Sequence, residues 1–158
     1  MFNKQKIIAI ILARSGSKRL KNKNIKLINN KPLIYWTIKE AQKSKLIDKL
    51  VVSTDSANYI NLSKKYGVKN FVKRPKNLSS STSTSIESLN FVLNKIINDG
   101  ETFDYCLLLE PTSPLREVKD INLGIKKLIK NTKAEALVSM SKVGNIHPQF
   151  MYEVKKNS

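Results

Sequence analysis

Basic and small polar residues crowd the segment that follows the first apolar run of the chain. Between Ala13 and Asn24, a Ser-Gly-Ser turn is set among cations, namely Arg14, Lys18, Arg19, Lys21 and Lys23. A compact turn can direct backbone N–H groups at an anion, and Arg and Lys supply charge for a polyphosphate. The segment lacks the G-x-x-x-x-G-K-[ST] pattern of a P-loop, and Gly16 alone cannot form G-x-G-x-x-G. It predicts a phosphate-binding loop, with a solvated basic loop as the alternative.

Candidate metal ligands lie at the ends of two predicted strands. Asp55 and Glu110 are the two carboxylates there. Asp55 is a candidate metal ligand, although an Asp at this position more often caps or supports the backbone. His147 precedes Pro148 without a second His or Cys nearby, so it predicts no metal site. A functional histidine and a loop histidine without a function are equal alternatives for it.

These residues need a scaffold, and the chain predicts alternating strands and helices. Apolar runs predict strands at 7–12, 50–54, 68–72, 105–109 and 136–140. Helical spacing, Pro32, glycine stops and a Thr84/Glu87 capping box predict helices at 32–44, 57–66, 85–99 and 117–131. Expected helix core positions are Leu33, Trp36, Ile38 and Ala41 in the first helix, and Ile86, Leu89, Leu93, Ile96 and Ile97 in the third.

The unbroken apolar character of residues 7–12 suits a strand that is covered on both faces. Together with the alternation, it predicts an α/β fold with a doubly wound, mostly parallel sheet and right-handed crossovers. The ligand is then expected at the carboxyl ends of the strands, where the loops after residues 13, 54, 72 and 109 converge. No repeat or boundary divides the 158 residues, so a single domain is expected.

Composition restricts the class of protein without selecting a ligand. The formal charge of +17 predicts attraction to polyanions, and a basic nucleic-acid-binding protein is a rival interpretation, but no helix-turn-helix, RNA-binding or zinc signature accompanies it. Cys106 is the one cysteine and cannot form an internal disulfide; it is expected to be buried. The apolar run before Arg14 is short for a signal peptide and no run approaches a membrane span, which predicts a soluble, cytoplasmic protein.

Five motifs in order resemble those of the sugar-acid cytidylyltransferases, best known from CMP-sialic acid synthetases. The motifs are Ala13-Arg14-x-Gly16-Ser17-Lys18 with Lys23-Asn24, then Lys31-Pro32-Leu33-Ile34, Val52-Ser53-Thr54-Asp55, Arg74-Pro75-x-x-Leu78 with Thr82, and Leu108 to Arg116. The resemblance covers residues 7 to about 148. It implies a nucleotide-diphosphosugar-transferase-like fold, a reaction of CTP with a nonulosonic acid that yields a CMP-sugar and pyrophosphate, and Mg²⁺ as cofactor.

The resemblance also implies roles for individual residues. It puts Arg14 and Lys23 at the triphosphate as catalytic residues. Substrate-binding roles fall on Ser17, Lys18 and Asn24 in the nucleotide loop, on Arg74, Ser83 and Ser85 near the cytosine, and on Glu110 and Arg116 in the last motif. Helix capping by the same Ser/Thr cluster is an equal alternative for Ser83 and Ser85. CTP and an acidic sugar are the implied partners, and the family suggests a homodimer.

The chain departs from the family pattern at several places. Glu110 stands where sialic acid members commonly have a Gln that contacts the sugar, and Ser81-Thr82 replaces an Asp-Thr pair. The negative charge of Glu110 would repel a sugar carboxylate, unless it binds a hydroxyl or the metal. The sequence given stops at Ser158, before the part in which the family carries its metal-binding Asp pair and dimer segment. A fragment of the enzyme and a shortened homologue that binds nucleotide without turnover are both compatible with this.

Overall fold

A computed structural model describes residues 4–17, 20–80 and 82–140 of the chain. Six strands occur in this part: β1 (Ile7–Leu12), β2 (Leu27–Ile28), β3 (Lys31–Pro32), β4 (Lys49–Thr54), β5 (Asn70–Lys73) and β6 (Tyr105–Leu108). Four of them form a parallel sheet in the order β5-β4-β1-β6, and β2 pairs with β3 in a small antiparallel hairpin. The prediction of an α/β fold with a mostly parallel sheet is confirmed.

Three α-helices connect the strands, namely α1 (Leu33–Lys43), α2 (Ala57–Lys65) and α3 (Ser85–Asn98), and a fourth, α4 (Val118–Lys130), follows β6. Helices α1, α2 and α4 contribute buried residues to one face of the sheet, and α3 contributes Val92 and Ile96 to the other. The helices therefore cover both faces, as a doubly wound arrangement requires.

Strand β1 is at the centre of this core. All six of its residues are buried, with Ile7, Ala9 and Ile11 on the face of α1, α2 and α4, and with Ile8, Ile10 and Leu12 on the face of α3. Side chains alternate between the two faces of a strand, so a strand covered on both sides must be apolar at every position. The sequence run indicates a central strand for this reason.

The helix ends follow the local signals of the sequence. The capping box predicted at the start of α3 is present: Thr84 Oγ1 accepts the Glu87 N–H at 3.1 Å, and the Thr84 N–H donates to Glu87 Oε2 at 2.8 Å. Helix α2 begins with Ser56, whose Oγ accepts the Tyr59 N–H at 3.4 Å. Bonds of this kind satisfy N–H groups that have no partner inside the helix.

Two predicted elements differ from the structure. Residues 136–140 form no strand, and Val138 and Met140 are exposed there. An apolar run becomes a strand only when another strand pairs with it, and no described residue does so here. In α3 the predicted core positions Leu89, Leu93 and Ile96 do pack on the sheet, whereas Ile86 and Ile97 are exposed. The fully buried line is Ser88, Val92 and Ile96.

Predicted burial also fails at the sheet edge and in α1. Cys106 is exposed because β6 is an outer strand of the described sheet. Trp36 is only half-buried; its indole N–H donates to the Ile28 carbonyl at 3.3 Å and its ring meets Tyr35 edge-on, with centroids 5.2 Å apart. Trp36 therefore joins α1 to the β2–β3 hairpin instead of filling the core.

Candidate functional site

A cavity of about 460 Å³ opens at the carboxyl ends of the parallel strands. It lies where the loops after β1, β5 and β6 meet, as expected for this class of sheet. Of the predicted site residues, eight line it: Arg14, Ser17, Lys23, Asn24, Arg74, Ser83, Ser85 and Glu110. Arg116 and Asp55 are not among the lining residues, and Lys18 and His147 lie outside the described residues.

A second cavity of similar volume, about 470 Å³, lies at the amino ends of the parallel strands. Its charged residues balance, since Lys6 and Lys49 face Asp48 and Glu101, and the Lys49 ammonium bonds to the Glu101 carboxylate. The cavity at the carboxyl edge has three cations, Arg14, Lys23 and Arg74, against Glu110. Charge and position in the fold therefore both favour the carboxyl-edge cavity as the anion site.

The loop after β1 is held in place by Asp55. The Ser15 N–H donates to Asp55 Oδ1 at 2.8 Å, and the Ser15 hydroxyl donates to Asp55 Oδ2 at 2.6 Å. Within the turn, the Ser17 N–H donates to the Ser15 carbonyl at 3.0 Å. Two of the three turn amides are thus bonded within the protein, which leaves Gly16 as the turn amide without a bond to a described residue.

Arg14 and Asn24 connect this loop to its surroundings. Asn24 is buried, and its amide nitrogen donates to the Arg14 carbonyl at 3.1 Å. The Arg14 guanidinium donates through Nη1 to the Ser80 carbonyl, so it reaches across the cavity to the segment before α3. Both residues line the cavity as predicted, and both also organise its walls.

Arg74 lies at the buried end of the cavity with only 6% of its surface exposed. Its Nη1 donates to Ser88 Oγ at 3.0 Å and its Nη2 donates to the Ser53 carbonyl at 3.0 Å. Burial lowers the pKa of Arg74, and attraction to Asp55 counteracts part of that effect. Its Nε is buried and has no hydrogen-bond partner among the described residues. A buried donor without a partner is rare in folded proteins, and this one belongs to a residue that lines the cavity.

Ser83 and Ser85 differ in what they do. The Ser83 hydroxyl donates to the Asn77 carbonyl at 2.7 Å and is 2.8 Å from Ser80 Oγ, so it stabilises the turn before α3. Ser85 is exposed in the first turn of α3, and Thr84 provides the cap. Capping, the alternative considered for the Ser/Thr cluster, therefore belongs to Thr84.

Glu110 and Arg116 belong to one turn but have different positions. Arg116 Nη2 donates to the Glu110 carbonyl at 3.3 Å, and Arg116 Nη1 is buried without a partner among the described residues. Burial lowers the pKa of Arg116, with Glu110 and Asp120 acting in the opposite direction. Arg116 thus stabilises the turn through the Glu110 carbonyl without lining the cavity. Glu110 contributes the one carboxylate among the described residues that line the cavity.

The described residues contain no group of three or more His, Cys, Asp or Glu side chains placed to hold a metal ion. Both Asp55 oxygens are bonded to Ser15, and Glu110 lines the cavity alone. Mg²⁺ commonly binds through one or two carboxylates together with substrate phosphates. Glu110 fits that arrangement, in which the nucleotide brings most of the ligands.

Sequence reasoning missed two residues that build the site. Ser88 is 1% exposed, accepts from Arg74 and donates to the Leu78 carbonyl at 3.3 Å. Its signal was available: Ser88 is the polar member of an i, i+4 series with Val92 and Ile96. Ser15 carried no such signal, since its partner Asp55 is 40 positions away in the chain.

A parallel sheet of this order, with helices on both faces and a cationic cavity at the carboxyl ends of its strands, defines a doubly wound α/β protein. Solved structures share the fold: CMP:2-keto-3-deoxy-manno-octonic acid synthetase complexed with CTP has a TM-score of 0.69 at 20% identity, covering 80% of this chain and 48% of that one. The structure of 4-diphosphocytidyl-2C-methyl-D-erythritol synthase has a TM-score of 0.65 at 13% identity, covering 90% and 67%.

The chain belongs to the cytidylyltransferase family, whose model matches residues 8–153. It is 39% identical over 137 residues to N-acylneuraminate cytidylyltransferase of Escherichia coli O18:K1:H7, covering 87% of this chain and 32% of that protein. It is 37% identical over 138 residues to CMP-N,N'-diacetyllegionaminic acid synthase of Legionella pneumophila, covering 87% and 59%. The chain therefore spans between a third and three fifths of the length of these two relatives.

Proposed function

We propose that this protein transfers CMP from CTP to an acidic nine-carbon sugar, with release of pyrophosphate. The observation that carries the proposal is the carboxyl-edge cavity, in which Arg14, Lys23 and Arg74 converge from two strand-end loops. Three cations around one cavity suit a triphosphate far better than a neutral ligand. The relatives named above are a cytidylyltransferase and a CMP-sugar synthase, which supports cytidine as the base and a nonulosonic acid as the acceptor.

Arg14 and Lys23 have the catalytic role in this proposal. The oxygen of the sugar's anomeric hydroxyl attacks the α-phosphorus and its proton passes to solvent, while the α–β phosphoanhydride bond breaks and pyrophosphate leaves with the electron pair. Negative charge grows on the transferred phosphoryl group and on the leaving group, and cations fixed beforehand stabilise it. The bond from Arg14 to the Ser80 carbonyl supports this role, since it restricts the guanidinium before the nucleotide arrives.

The base is proposed to bind near Arg74, Ser83 and Ser85, with Ser17, Lys18 and Asn24 completing the nucleotide loop. The place of Arg74 in the cavity lining and the exposed position of Ser85 support this placement. Mg²⁺ is proposed to enter with CTP and to offset charge on the phosphate oxygens, with Glu110 as its carboxylate ligand from the protein. Arg116 is assigned to positioning the Glu110 turn.

Glu110 bears on the choice of acceptor. The Glu110 oxygen that does not hold Mg²⁺ repels the carboxylate of an acidic sugar, so we place the sugar with its hydroxyl or amide N–H groups toward that oxygen. The described part of the chain has no helix long and apolar enough to cross a bilayer. Action in the cytoplasm, in the synthesis of a surface polysaccharide, is part of the same proposal, and so is assembly as a homodimer.

Two measurements on the 158-residue protein test the proposal. Calorimetry with Mg²⁺ should show tighter binding of CTP than of ATP or GTP, and equal affinities would contradict it. Incubation with CTP, Mg²⁺ and a panel of nonulosonic acids should then release pyrophosphate. Selective CTP binding without pyrophosphate release would favour the alternative of a nucleotide-binding protein that does not turn over.

A further inference from the structure

Asp55 is placed to control the nucleotide loop. It follows β4, and both its carboxylate oxygens accept bonds from Ser15, at 2.8 Å from the N–H and 2.6 Å from the hydroxyl. The ordinary capping role for a residue at this position is already filled, since Ser56 caps α2. Both oxygens therefore accept from one residue of another loop, and Asp55 is not the cap of α2.

The bonds around Ser15 decide which way the loop faces. Asp55 draws the Ser15 N–H and hydroxyl toward β4, while the Ala13 N–H donates to the Ser53 carbonyl at 2.9 Å. Asn24 holds the Arg14 carbonyl from the other side. With the backbone held on both sides, Arg14 and Ser17 are presented to the cavity.

We propose that Asp55 is a positioning residue that anchors the phosphate-binding loop through Ser15. The inference rests on the proposed function, because it assigns Asp55 a part in binding CTP. Two roles are open to a carboxylate at a strand end, and they differ in their dependence on metal. An anchor affects CTP binding whether or not a metal is present, and a metal ligand affects it only when the metal is present.

If Asp55 acted only through its charge, its removal would change the affinity for CTP in the opposite direction from the one the anchor predicts, so the test distinguishes the two. Asp55 is close enough to Arg74 for a favourable charge interaction, so its negative charge reduces the positive potential of the cavity. Removing that charge without disturbing the loop should strengthen the binding of a polyphosphate. Removing the anchor should weaken it, because the cations are no longer held in the binding geometry.

The experiment compares Asp55→Ala, Asp55→Asn and Ser15→Ala with a matched control, Asp99→Ala. Asp99 is an exposed acidic residue at the far end of α3, so its loss removes the same charge away from the cavity. CTP affinity is measured by calorimetry for each protein, once with Mg²⁺ and once with EDTA. Thermal unfolding shows whether each variant is folded.

Asp55→Ala should weaken CTP binding by about tenfold to a hundredfold in both conditions. Asp55→Asn keeps an oxygen for the Ser15 N–H and an amide that can donate to the Ser15 hydroxyl, so it should stay within about threefold of the wild type or bind more tightly. Ser15→Ala should weaken binding less than Asp55→Ala, and the two should not add in the double variant, because they remove the same contact.

Three results would overturn the proposal: a loss seen only with Mg²⁺, which identifies a metal ligand; unchanged or tighter binding by Asp55→Ala; or a loss of the same size in Asp99→Ala.

If the wild type itself does not bind CTP, the proposed function fails. The anchor is then tested by amide hydrogen exchange in the unliganded protein, where Ser15 should exchange faster in Asp55→Ala and remain protected in Asp55→Asn. Equal exchange in all three proteins would contradict the anchor. If Asp55→Ala does not fold, loss of Ser15 protection in Asp55→Asn would contradict it instead.

Discussion

At the scale of single residues, the site depends on cations that are held by carbonyl groups before any ligand is present. Arg14 donates to the Ser80 carbonyl, and Arg74 donates to the Ser53 carbonyl and to Ser88. Carbonyl and hydroxyl partners fix a guanidinium without neutralising it, which leaves its charge available to a phosphate. A carboxylate partner would have cancelled that charge.

The two proposed catalytic cations can be tested individually. Arg14→Ala and Lys23→Ala should each weaken CTP binding or turnover by about 2–4 kcal/mol, the range for loss of a charged contact to the ligand or of an electrostatic catalytic group. Calorimetry and initial rates measure the effect. Lys130→Ala, an exposed cation at the end of α4, is the control, and a loss no greater than the control's would indicate a merely solvated loop.

Gly16 allows a test of how closely the ligand approaches the turn. A Cβ added there would meet Ser79 O at 3.9 Å, an ordinary contact, and the φ of Gly16 lies outside the left-handed region. Gly16→Ala should therefore leave the free energy of unfolding unchanged or raise it by up to about 1 kcal/mol. Binding of CTP should nonetheless weaken if the phosphates contact the Gly16 N–H, and unchanged affinity would show that they do not.

At the scale of elements, α3 combines a local start signal with a buried face that the local pattern predicted only in part. Thr84 and Glu87 fix where the helix begins through bonds three residues apart. Which face is buried depends on the sheet, and the helix turns Ser88, Val92 and Ile96 inward, with Ser88 bonded to Arg74. The burial of a polar residue in that line is satisfied by two hydrogen bonds.

The cap of α3 should contribute measurably to stability. Thr84→Ala removes the side-chain acceptor of the Glu87 N–H and should cost about 1 kcal/mol in the free energy of unfolding by urea. Asn94→Ala is the control, because Asn94 is an exposed polar residue in the interior of the same helix. Its replacement should leave stability unchanged or raise it slightly, since Ala is the better helix former. Equal losses for both variants would contradict a capping role.

The same cap should make stability depend on pH. Backbone and side-chain bonds from Thr84 lower the pKa of Glu87 below its ordinary value of 4.5. A lowered folded-state pKa means that the stabilisation is present above the unfolded-state value and is lost as the pH falls through the folded-state value. The difference in melting temperature between the wild type and Thr84→Ala should therefore be larger at neutral pH than at about pH 3. A constant difference would show that the Thr84 hydroxyl takes no part in lowering this pKa, since the Ala variant keeps the backbone N–H that bonds to Glu87.

At the scale of the whole molecule, the net charge of +17 produces attraction to any polyanion. Binding to duplex DNA should be independent of sequence and should collapse between low and physiological salt, because it rests on counterion release without base contacts. Fluorescence anisotropy with two unrelated duplexes over a salt series measures this. Nanomolar, sequence-selective binding at physiological salt would instead support a nucleic-acid-binding function.

Much of the architecture could be predicted from the sequence because its signals are local. The apolar run 7–12, the glycine stops and the capping box each act over a few residues. The order of the four parallel strands and of the helices up to α4 follows from them, whereas the β2–β3 hairpin was not predicted. The family was recognisable from short motifs for the same reason, and most of the predicted site residues do line one cavity.

The tertiary structure alone decided the contacts between distant parts of the chain. Asp55 meets Ser15 across 40 positions because parallel pairing brings the ends of β1 and β4 side by side. Arg14 meets Ser80, which lies between β5 and α3, across 66 positions. The order of the sheet put β6 at the described edge and exposed Cys106, and it offered residues 136–140 no described strand to pair with. Pairing depends on which strands become neighbours in space, and no local pattern of residues carries that information.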